Sequence, residues 1–386
     1  MRLFVAVVFL FSVLPAQEEA PRAVPPPIEA LDAPPAPEPN PNASDEANFW
    51  FVTYPGAMTE FDPRTDEVVR KIPFRYGMPW DVNLAHDRNR FLIVTKQQTM
   101  IEVVDRTSGE VTEEHEFVED DYIIRVRGVT ETPRVEGQNE HWYVRIDRVK
   151  KHKDRFSFEP SEVLLYDATE KEVVKRLKKM PDELSGRVTI SPDGRYWHSF
   201  SRDGNFVVLD PESLEEVAKI DLRTPRFGGA GAIRLNGTDL LQGRDPTRYR
   251  AMYTTTDPVE DDRTMWGVCE IDLVNHEIVS ITEWGKSLAS WGLRVSHDGR
   301  FGATMSGGGE RGSRVSLFDL TDGTRVADHY QQYRPRRSLA AIAPDGSKVY
   351  VGGAGSDFEV YDAEFNRLKT VEFDGEIYGP VFVLGR

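Results

Sequence analysis

The chain repeats one short unit, and two copies of it align closely. One copy, VTISPDGRYWHSFSRDGNFVVLDPESLEEVAKI, begins at Val188, and the other, AIAPDGSKVYVGGAGSDFEVYDAEFNRLKTVEF, begins at Ala341. Each copy has an apolar segment, a Pro-Asp-Gly turn, an aromatic-rich segment, a segment that ends in an apolar residue followed by Asp, and a final alternating segment. Short apolar segments separated by turns predict four β-strands per unit.

The apolar-Asp mark at the end of the third strand occurs seven times, at spacings of 43, 62, 43, 62, 47 and 43 residues. A period in the forties with four strands per unit is typical of a β-propeller. An aspartate at a strand end bonds backbone N–H groups two residues on, so we expect these residues to close turns rather than act as catalytic acids. The seven aspartates are Asp62, Asp105, Asp167, Asp210, Asp272, Asp319 and Asp362.

The two ends of the chain predict a closed ring. The first unit, NFWFVT from Asn48, begins at the second strand of the pattern, and the missing innermost strand is supplied by GPVFVL at residues 379–384. Pairing the two removes the open sheet edges of a linear array. The sequence therefore predicts an all-β fold, a seven-bladed β-propeller of four-stranded blades over residues 49–386, in which the C-terminal strand joins the N-terminal blade.

The residues before the propeller predict an export signal and a spacer. Arg2 precedes an apolar run over residues 3–14, which is shorter than the roughly 20 residues that span a bilayer. We interpret residues 1–16 as a secretory signal peptide and the protein as periplasmic or extracellular, with an uncleaved N-terminal anchor as the alternative. Residues 17–48 contain nine of the 25 prolines and seven acidic residues, so we expect a disordered, extended linker.

Composition excludes several classes of protein. A net charge of −16 argues against a nucleic-acid-binding protein, which normally carries a basic face. The single cysteine, Cys269, follows an apolar strand pattern, so we expect a buried, inert thiol and no intramolecular disulfide. We also expect no transmembrane span and a monomeric propeller.

The stretch FVTYPGAMTEFDPRTDEVVRKIPFRYGMPWDVNLAHDRNRFLIVTKQQTMIEVVDRTSGEV, from Phe51, resembles a YVTN-type repeat. The resemblance extends over most of residues 49–386 and is weaker over 117–160 and 226–266. Such repeats are similar to the propellers of bacterial surface-layer and periplasmic proteins and of quinoprotein amine dehydrogenase chains. The resemblance implies the propeller fold, but the family includes binding modules, non-catalytic enzyme subunits and some enzymes.

The sequence contains no recognisable catalytic or metal-binding motif. The eight histidines lack the HxH and HExxH spacings of metal sites, and neither a GxSxG elbow nor a phosphate-binding loop is present. The triple glycine at residues 307–309 has no strand-to-helix setting, so we interpret it as a flexible loop. We therefore predict no metal, no cofactor and no catalytic residue.

Two insertions, predicted at residues 146–160 and 243–262, contain many Arg, Lys and Tyr residues. We place both between the second and third strands of a blade, on the face that also carries the connections between blades. Arginines and aromatic residues together favour a recognition surface, and guanidinium groups suit anions. The residues predicted to bind a ligand or partner on this face are Trp80, Asp81, Arg187, Arg226, Trp291, Arg294, Arg336, Arg337 and Tyr378.

These observations favour an exported binding or scaffolding module that binds a protein partner or a small anionic ligand. The alternative is an enzyme or an enzyme subunit, lactonase-like or quinoprotein-dehydrogenase-like, that works at the mouth of the channel. For that alternative the nearest candidates are Asp81, Arg187 and Arg294, on predicted innermost strands. A structural protein of the cell wall or surface is a third interpretation.

Overall fold

Seven antiparallel sheets form a ring in the computed structural model of the chain. Each sheet is a blade of four strands, and blade 3 has a fifth, so the prediction of a seven-bladed propeller is confirmed. The only helical element in the described part of the chain is a three-residue 3-10 turn, Lys96–Gln98. The structure describes residues 47–132, 137–177, 184–190, 196–201, 204–211, 213, 215–228, 230–236, 248–259, 264–286, 290–297, 299–306, 313–331, 338–352 and 355–385.

Apart from β10, which pairs only with β9, the strands of each blade follow one another from the channel outward, and the bounds are given in chain order. Blade 1 contains β1 (Ala47–Thr53), β2 (Ala57–Asp62) and β3 (Glu67–Pro73). Blade 2 contains β4 (Asp81–Leu84), β5 (Arg90–Thr95), β6 (Met100–Asp105) and β7 (Val111–Glu116). Blade 3 contains β8 (Tyr122–Glu131), β9 (His141–Lys151), β10 (Phe156–Phe158), β11 (Glu162–Asp167) and β12 (Glu172–Leu177). Blade 4 contains β13 (Leu184–Ile190), β14 (Trp197–Ser201), β15 (Phe206–Leu209) and β16 (Glu216–Ile220).

The remaining blades repeat this arrangement, and the last strand returns to blade 1. Blade 5 contains β17 (Arg234–Asn236), β18 (Arg248–Thr256), β19 (Thr264–Asp272) and β20 (Glu277–Lys286). Blade 6 contains β21 (Ser290–Val295), β22 (Phe301–Ser306), β23 (Ser313–Asp319) and β24 (Arg325–Gln331). Blade 7 contains β25 (Ser338–Ile342), β26 (Lys348–Gly352), β27 (Asp357–Asp362) and β28 (Arg367–Glu372), and β29 (Ile377–Gly385) follows.

The ring closes as the two ends of the sequence predict. In blade 1 the order is β29-β1-β2-β3, and the pairing places Phe49 opposite Val383 and Trp50 opposite Phe382. Alternate residues of β29 enter two apolar cores, because successive side chains of a strand point to opposite faces. Val383 packs in the cluster shared with blade 7, and Phe382 packs in the cluster shared with blade 2. β1 begins at Ala47, two residues before the predicted boundary.

The seven aspartates at the ends of third strands close turns, as predicted. Each side chain accepts a hydrogen bond from a backbone N–H two or three residues on, as when Arg64 N donates to Asp62 Oδ1 over 2.9 Å. The Pro-Asp-Gly turn of blade 7 ends at Gly346, whose φ of 75° is the left-handed conformation that glycine favours. The other six acceptors are Asp105, Asp167, Asp210, Asp272, Asp319 and Asp362.

The two insertions differ from the prediction in one respect. The first lies between the second and third strands of blade 3, where β10 pairs with the end of β9 and lengthens the blade into a hairpin. We call β10 and the part of β9 that pairs with it the blade 3 hairpin. The predicted position of the second insertion, residues 243–262, is wrong, because residues 248–256 form β18, the second strand of blade 5. Of the predicted range only residues 257–262 fall between the second and third strands in the chain. Tyr249 and Tyr253 alternate into the core along β18, which is the period of a half-buried strand. Residues 237–247 lie outside the described residues.

The lone cysteine is buried, as predicted. Burial raises the pKa of the Cys269 thiol to about 12, so the thiol stays protonated and unreactive at neutral pH. Within the described residues, no helix has the length and apolarity needed to cross a membrane.

Candidate functional site

A cavity of about 100 Å³ opens where the innermost strands of blades 2 and 3 meet. Strands β4 and β8 supply its channel side, and β9, β11 and β14 supply its inner wall. We call it the channel cavity. It combines charged side chains with an aromatic and aliphatic wall, which is the usual composition of a small-molecule site. The side chains that bear on its chemistry are Asp81, Asn83, Arg127, Tyr143, Arg145, Val163 and Trp197.

A β-bulge places Arg127 at the cavity. Val126 pairs with Ile146 and Gly128 pairs with Arg145, so Arg127 is the extra residue between two consecutive pairs. A bulge bends the strand and redirects the side chain of the inserted residue, and bulges often lie beside functional sites. The shift puts Arg127 and its neighbour Gly128 together in the cavity lining.

The Arg127 guanidinium is held on three sides. Its Nε donates to Asp147 Oδ2 over 2.6 Å, and the Ser161 hydroxyl donates to the other oxygen of Asp147, also over 2.6 Å. Its central carbon lies 5.5 Å from the ring centroid of Trp80, a cation–π distance. With its amide oxygen facing the two donors, Gln98 accepts from Trp80 Nε1 at 3.0 Å and from Arg127 at 3.2 Å. These contacts fix an arginine before any ligand arrives.

Asp81 brings a negative charge to the same cavity. It is the first residue of β4, and its Oδ2 accepts a hydrogen bond from Asn83 Nδ2 over 3.1 Å. A side-chain carbon at Gly128 would stand 4.0 Å from that oxygen, an ordinary van der Waals distance, so the β8 backbone passes close to the carboxylate. The cavity lining therefore contains guanidinium groups and a carboxylate.

Trp197 lies on the wall of the cavity and carries a donor without a partner. The residue is fully buried, and its ring meets that of Tyr143 edge to face at 4.6 Å between centroids. Its Nε1 has no hydrogen-bond partner within the described structure. The indole Nε1 groups of Trp50, Trp266 and Trp284 also lack a partner in the described structure, whereas Trp142 Nε1 donates to Glu140 over 2.7 Å. A buried N–H group without an acceptor costs free energy, and a ligand atom that accepts from it removes that cost.

The cavity is rich in donors. The side chains of Arg127, Arg145 and Trp197 contain hydrogen-bond donors and no acceptor atoms, whereas the Asp81 carboxylate contains only acceptors. Such a set suits a ligand with an anionic or strongly accepting group, because hydrogen bonds between guanidinium and an anion are short and strong. Across the described ranges, no group of three or more His, Cys, Asp and Glu side chains has the arrangement of a metal site.

The residues predicted from sequence divide into three groups. Trp80 and Asp81 come together at the cavity, Trp80 as the face on which Arg127 rests. Three others lie away from its lining: Arg226 donates to the Asp221 backbone oxygen over 2.7 Å, Arg294 lies in β21, and Tyr378 lies in β29 with 53% of its surface exposed. Arg187 and Trp291 belong to β13 and β21, with side chains outside the described part, and Arg336 and Arg337 lie outside the described residues.

Sequence reasoning missed Asn83, Arg127, Arg145 and Trp197. A signal was present in the RVRG stretch from Arg125, where two arginines interrupt an apolar innermost strand and precede a glycine. Its meaning depends on the bulge, which the pattern of residue types does not show.

The face that carries the connections between blades also carries exposed aromatic side chains. Tyr54 lies in the turn between β1 and β2, Trp80 precedes β4, and Tyr378 is near the start of β29. Phe156 and Phe158 lie in β10 and are 62% and 85% exposed. In an antiparallel blade the turn between the second and third strands lies at the same end as the connections to the neighbouring blades. These five side chains therefore lie on one face of the ring.

Comparisons with known proteins agree with the fold. No protein-family model matches the chain. A stretch of 66 residues is 39% identical to the dihydro-heme d1 dehydrogenase of Pseudomonas aeruginosa, which is 17% of this chain and spans 13% of that protein. The solved structure of dihydro-heme d1 dehydrogenase NirN in complex with DHE superimposes with a TM-score of 0.51 and 16% identity over 89% of this chain and 76% of that one.

A protein of unknown function from Desulfotomaculum acetoxidans superimposes with a TM-score of 0.50 and 13% identity, over 88% of this chain and 99% of that one. At these identities the solved structures show a shared fold. The chain is a seven-bladed β-propeller.

Proposed function

We propose that the protein is a binding module, that its recognition site is the channel cavity, and that its ligand carries a small anionic group. The observation that supports this most directly is the unpaired Nε1 donor of the fully buried Trp197 in a cavity also lined by Arg127 and Arg145. No group in the described structure accepts a hydrogen bond from that donor, so a ligand would supply the acceptor.

The size of the cavity limits the ligand. Sites for drug-sized molecules enclose roughly 300–1,000 Å³, whereas the channel cavity measures about 100 Å³. A carboxylate or an inorganic anion fits that volume. The wall of protein atoms lowers the local dielectric constant, so each guanidinium–anion contact is stronger than it would be in water.

Calorimetric titration with acetate tests the proposal, in a buffer free of carboxylate, phosphate and sulfate. The wild type is expected to bind acetate saturably, and Arg145→Gln is expected to bind it about 10- to 100-fold more weakly, because a hydrogen bond to a charged group contributes about 1.5–3 kcal/mol. Arg325→Gln, on the outermost strand of blade 6, makes the same change in net charge away from the cavity. Its affinity should equal that of the wild type. The proposal would be contradicted if the wild type did not bind acetate, or if Arg145→Gln and Arg325→Gln lost affinity for acetate equally.

The second candidate is an enzyme subunit, and the 66-residue match to dihydro-heme d1 dehydrogenase favours it. Under this hypothesis the propeller contacts a tetrapyrrole at the mouth of the channel rather than within the cavity. Titration with hemin, followed by absorbance, tests it. A shift of the hemin Soret band that saturates at one equivalent would support the enzyme-subunit hypothesis. A spectrum that stays that of free hemin would contradict it.

We also propose that the protein is exported. Arg2 and the apolar run over residues 3–14, which have the pattern of a secretory signal peptide, support this. Fractionation of cells that express the full chain tests it, and a protein recovered only from the cytosol would contradict it.

A further inference from the structure

The blade 3 hairpin carries two exposed rings on one of its faces. Phe156 lies opposite Lys151 and Phe158 lies opposite Val149, and residues directly opposite in an antiparallel pair point to the same side. On the other side of β9, Ile123 of β8 lies opposite Val149. Phe158, Val149 and Ile123 therefore form an apolar row across three strands, with Phe156 in the next row towards the tip. Phe156 and Phe158 are 62% and 85% exposed, whereas Val149 is buried.

The tip of the hairpin is locally basic in an acidic protein. Four of the six residues 150–155 are lysine or arginine and one is acidic, in a chain with a net charge of −16. Lys151, Lys153 and Arg155 are exposed. The connection before β8 places two exposed aspartates beside the tip, where Lys151 N donates to the Asp121 backbone oxygen over 2.9 Å. The positive excess is therefore small, and screened charge alone would hold an anionic surface only weakly.

Ion pairs fix the base of the hairpin to the ring. Arg148 pairs with Glu119 over 2.6 Å and with Glu159 over 2.9 Å. A third carboxylate, that of Glu162, lies 3.2 Å from the same guanidinium. The central carbon of Arg148 also lies 3.8 Å from the ring centroid of Tyr122. With its base held in this way, the hairpin loses little conformational freedom when its tip binds another molecule.

We propose that the blade 3 hairpin docks on an anionic lipid bilayer, with Phe156 and Phe158 in the bilayer interface and the tip lysines at the lipid phosphates. The hairpin lies outside the channel cavity, so this goes beyond the proposed function. Exposed apolar side chains rimmed by polar ones mark sites that bind proteins or membranes. A protein partner would need a pocket shaped to two projecting rings, whereas a fluid bilayer accommodates them as they stand.

The charges beside the rings also favour a bilayer. Lysine and arginine lay their apolar stems along an apolar surface and keep their charged ends in water, which places those of the tip at the level of the headgroups. Anionic lipids attract such side chains, and burial of the rings adds affinity that salt does not screen. Because the positive excess is small, we expect binding to need both the anionic lipid and the two rings.

Vesicle sedimentation of the full chain tests the proposal with two compositions, pure phosphatidylcholine and equal parts of phosphatidylcholine and phosphatidylglycerol. We expect the wild type to bind the mixed vesicles at least tenfold more tightly than the pure ones. The double variant Phe156→Thr, Phe158→Thr should lose at least tenfold in affinity for the mixed vesicles. The matched control Val173→Thr, Val174→Thr removes two exposed apolar side chains from β12 and should bind like the wild type.

A charge variant separates attraction by the lipid phosphates from burial of the rings. Lys153→Gln should weaken binding to the mixed vesicles about fivefold and leave binding to pure phosphatidylcholine unchanged. Lys175→Gln, on the outermost strand of blade 3, makes the same change in net charge and should have no effect. Equal affinities of the wild type for the two compositions, or equal binding of the wild type and the phenylalanine double variant, would overturn the proposal. Binding to neither composition would also overturn it, and would favour a protein partner for the two rings.

A label at residue 158 decides the proposal even if the apolar run at residues 3–14 also binds vesicles. Cys269 is the one cysteine of the chain and is buried, so Phe158→Cys supplies a single accessible thiol for the environment-sensitive fluorophore NBD. Its emission should shift to shorter wavelength on the mixed vesicles. A label at Thr107→Cys, in the turn between β6 and β7 at the opposite end of the ring, should show no shift. Unchanged emission from residue 158 would overturn the docking.

Discussion

Arg127 Nε donates to Asp147 Oδ2 over 2.6 Å, and this bond joins the innermost strand of blade 3 to the base of the blade 3 hairpin. Ser161, which follows that hairpin, donates to the second oxygen of Asp147. The insertion in the third unit therefore does more than lengthen a loop. It brings two side chains that hold a cavity arginine in place.

Asp147 is a positioning residue, and its replacement should separate binding from stability. Asp147→Asn is expected to weaken acetate binding about 3- to 10-fold, because a neutral amide holds the guanidinium less firmly. The unfolding free energy should change by no more than about 1 kcal/mol, since the pair is partly exposed. Calorimetry and urea denaturation measure the two quantities.

Asp328→Asn is the control for Asp147. Asp328 also accepts from a serine and pairs with an arginine, Ser316 and Arg325, but on blade 6. The Asp328→Asn variant should leave the affinity for acetate unchanged. If both variants weaken binding equally, Asp147 has no special role at the cavity.

Removal of residues 379–386 should abolish cooperative unfolding. The deletion takes the innermost strand from blade 1 and removes Val383 and Phe382 from the cores shared with blades 7 and 2. It also exposes the edge of β1 to other chains. We expect a broad thermal transition and aggregation in place of one sharp transition. An unchanged midpoint and cooperativity would show that ring closure does not stabilise the fold.

Glu102 should make the protein less stable as pH rises. The side chain is fully buried in β6, and neither carboxylate oxygen has a hydrogen-bond partner in the described part of the chain. Burial, and then the neighbouring Glu114, raise the pKa of Glu102 above its ordinary value of 4.5. The native state therefore holds a proton that the unfolded state releases, and stability is lost as pH rises through that window.

Glu102→Met removes this penalty. We expect it to raise the unfolding free energy by about 1–3 kcal/mol at pH 8, with the gain shrinking towards pH 4, where the carboxyl is protonated in both states. Urea denaturation across that range measures the effect. Glu110→Gln, at an exposed turn, is the control and should give a pH profile parallel to that of the wild type. A gain that is the same at pH 4 and pH 8 would assign the effect to packing rather than charge.

The two phenylalanines of the blade 3 hairpin should matter for contacts with other molecules but not for stability. The double variant Phe156→Thr, Phe158→Thr is expected to change the unfolding free energy by less than about 0.5 kcal/mol, because both rings are mostly exposed. Retention on a hydrophobic-interaction column should fall. Phe206→Thr, in the core of blade 4, is the contrast and should cost about 3–5 kcal/mol. A large loss of stability in the double variant would mean that the rings are covered in solution.

The fold could be predicted from the sequence because its signals are local. A turn such as Pro344-Asp345-Gly346 needs a preset φ, a short acceptor and a left-handed residue, and all three are written in adjacent positions. The aspartates at the strand ends act within three residues, so their spacing alone gives the blade count. The ring closure could also be predicted, since a unit that lacks its first strand needs one from the other end.

The candidate site could be predicted only in part. Trp80 and Asp81 stand at a blade connection, which the repeat locates. Arg127 reaches the cavity through a bulge, and a one-residue change of register moves a side chain to the other face without any change in residue type. Trp197 meets the cavity from a neighbouring blade, and contacts between blades are not encoded in the order of residues along one strand.

The most direct test of an anion site in the channel cavity is the position of the Trp197 indole N–H resonance during titration with acetate. The protein has seven tryptophans, and a Trp197→Phe variant identifies the resonance by its loss from the spectrum of ¹⁵N-labelled protein. Trp266 in blade 5 is the internal reference, since its Nε1 is also buried without a partner in the described structure but lies away from the cavity. If acetate binds in the channel cavity, the Trp197 signal shifts saturably, with the affinity measured by calorimetry, while the Trp266 signal stays in place. A Trp197 signal that does not move while acetate binds would contradict the placement of the site in the channel cavity.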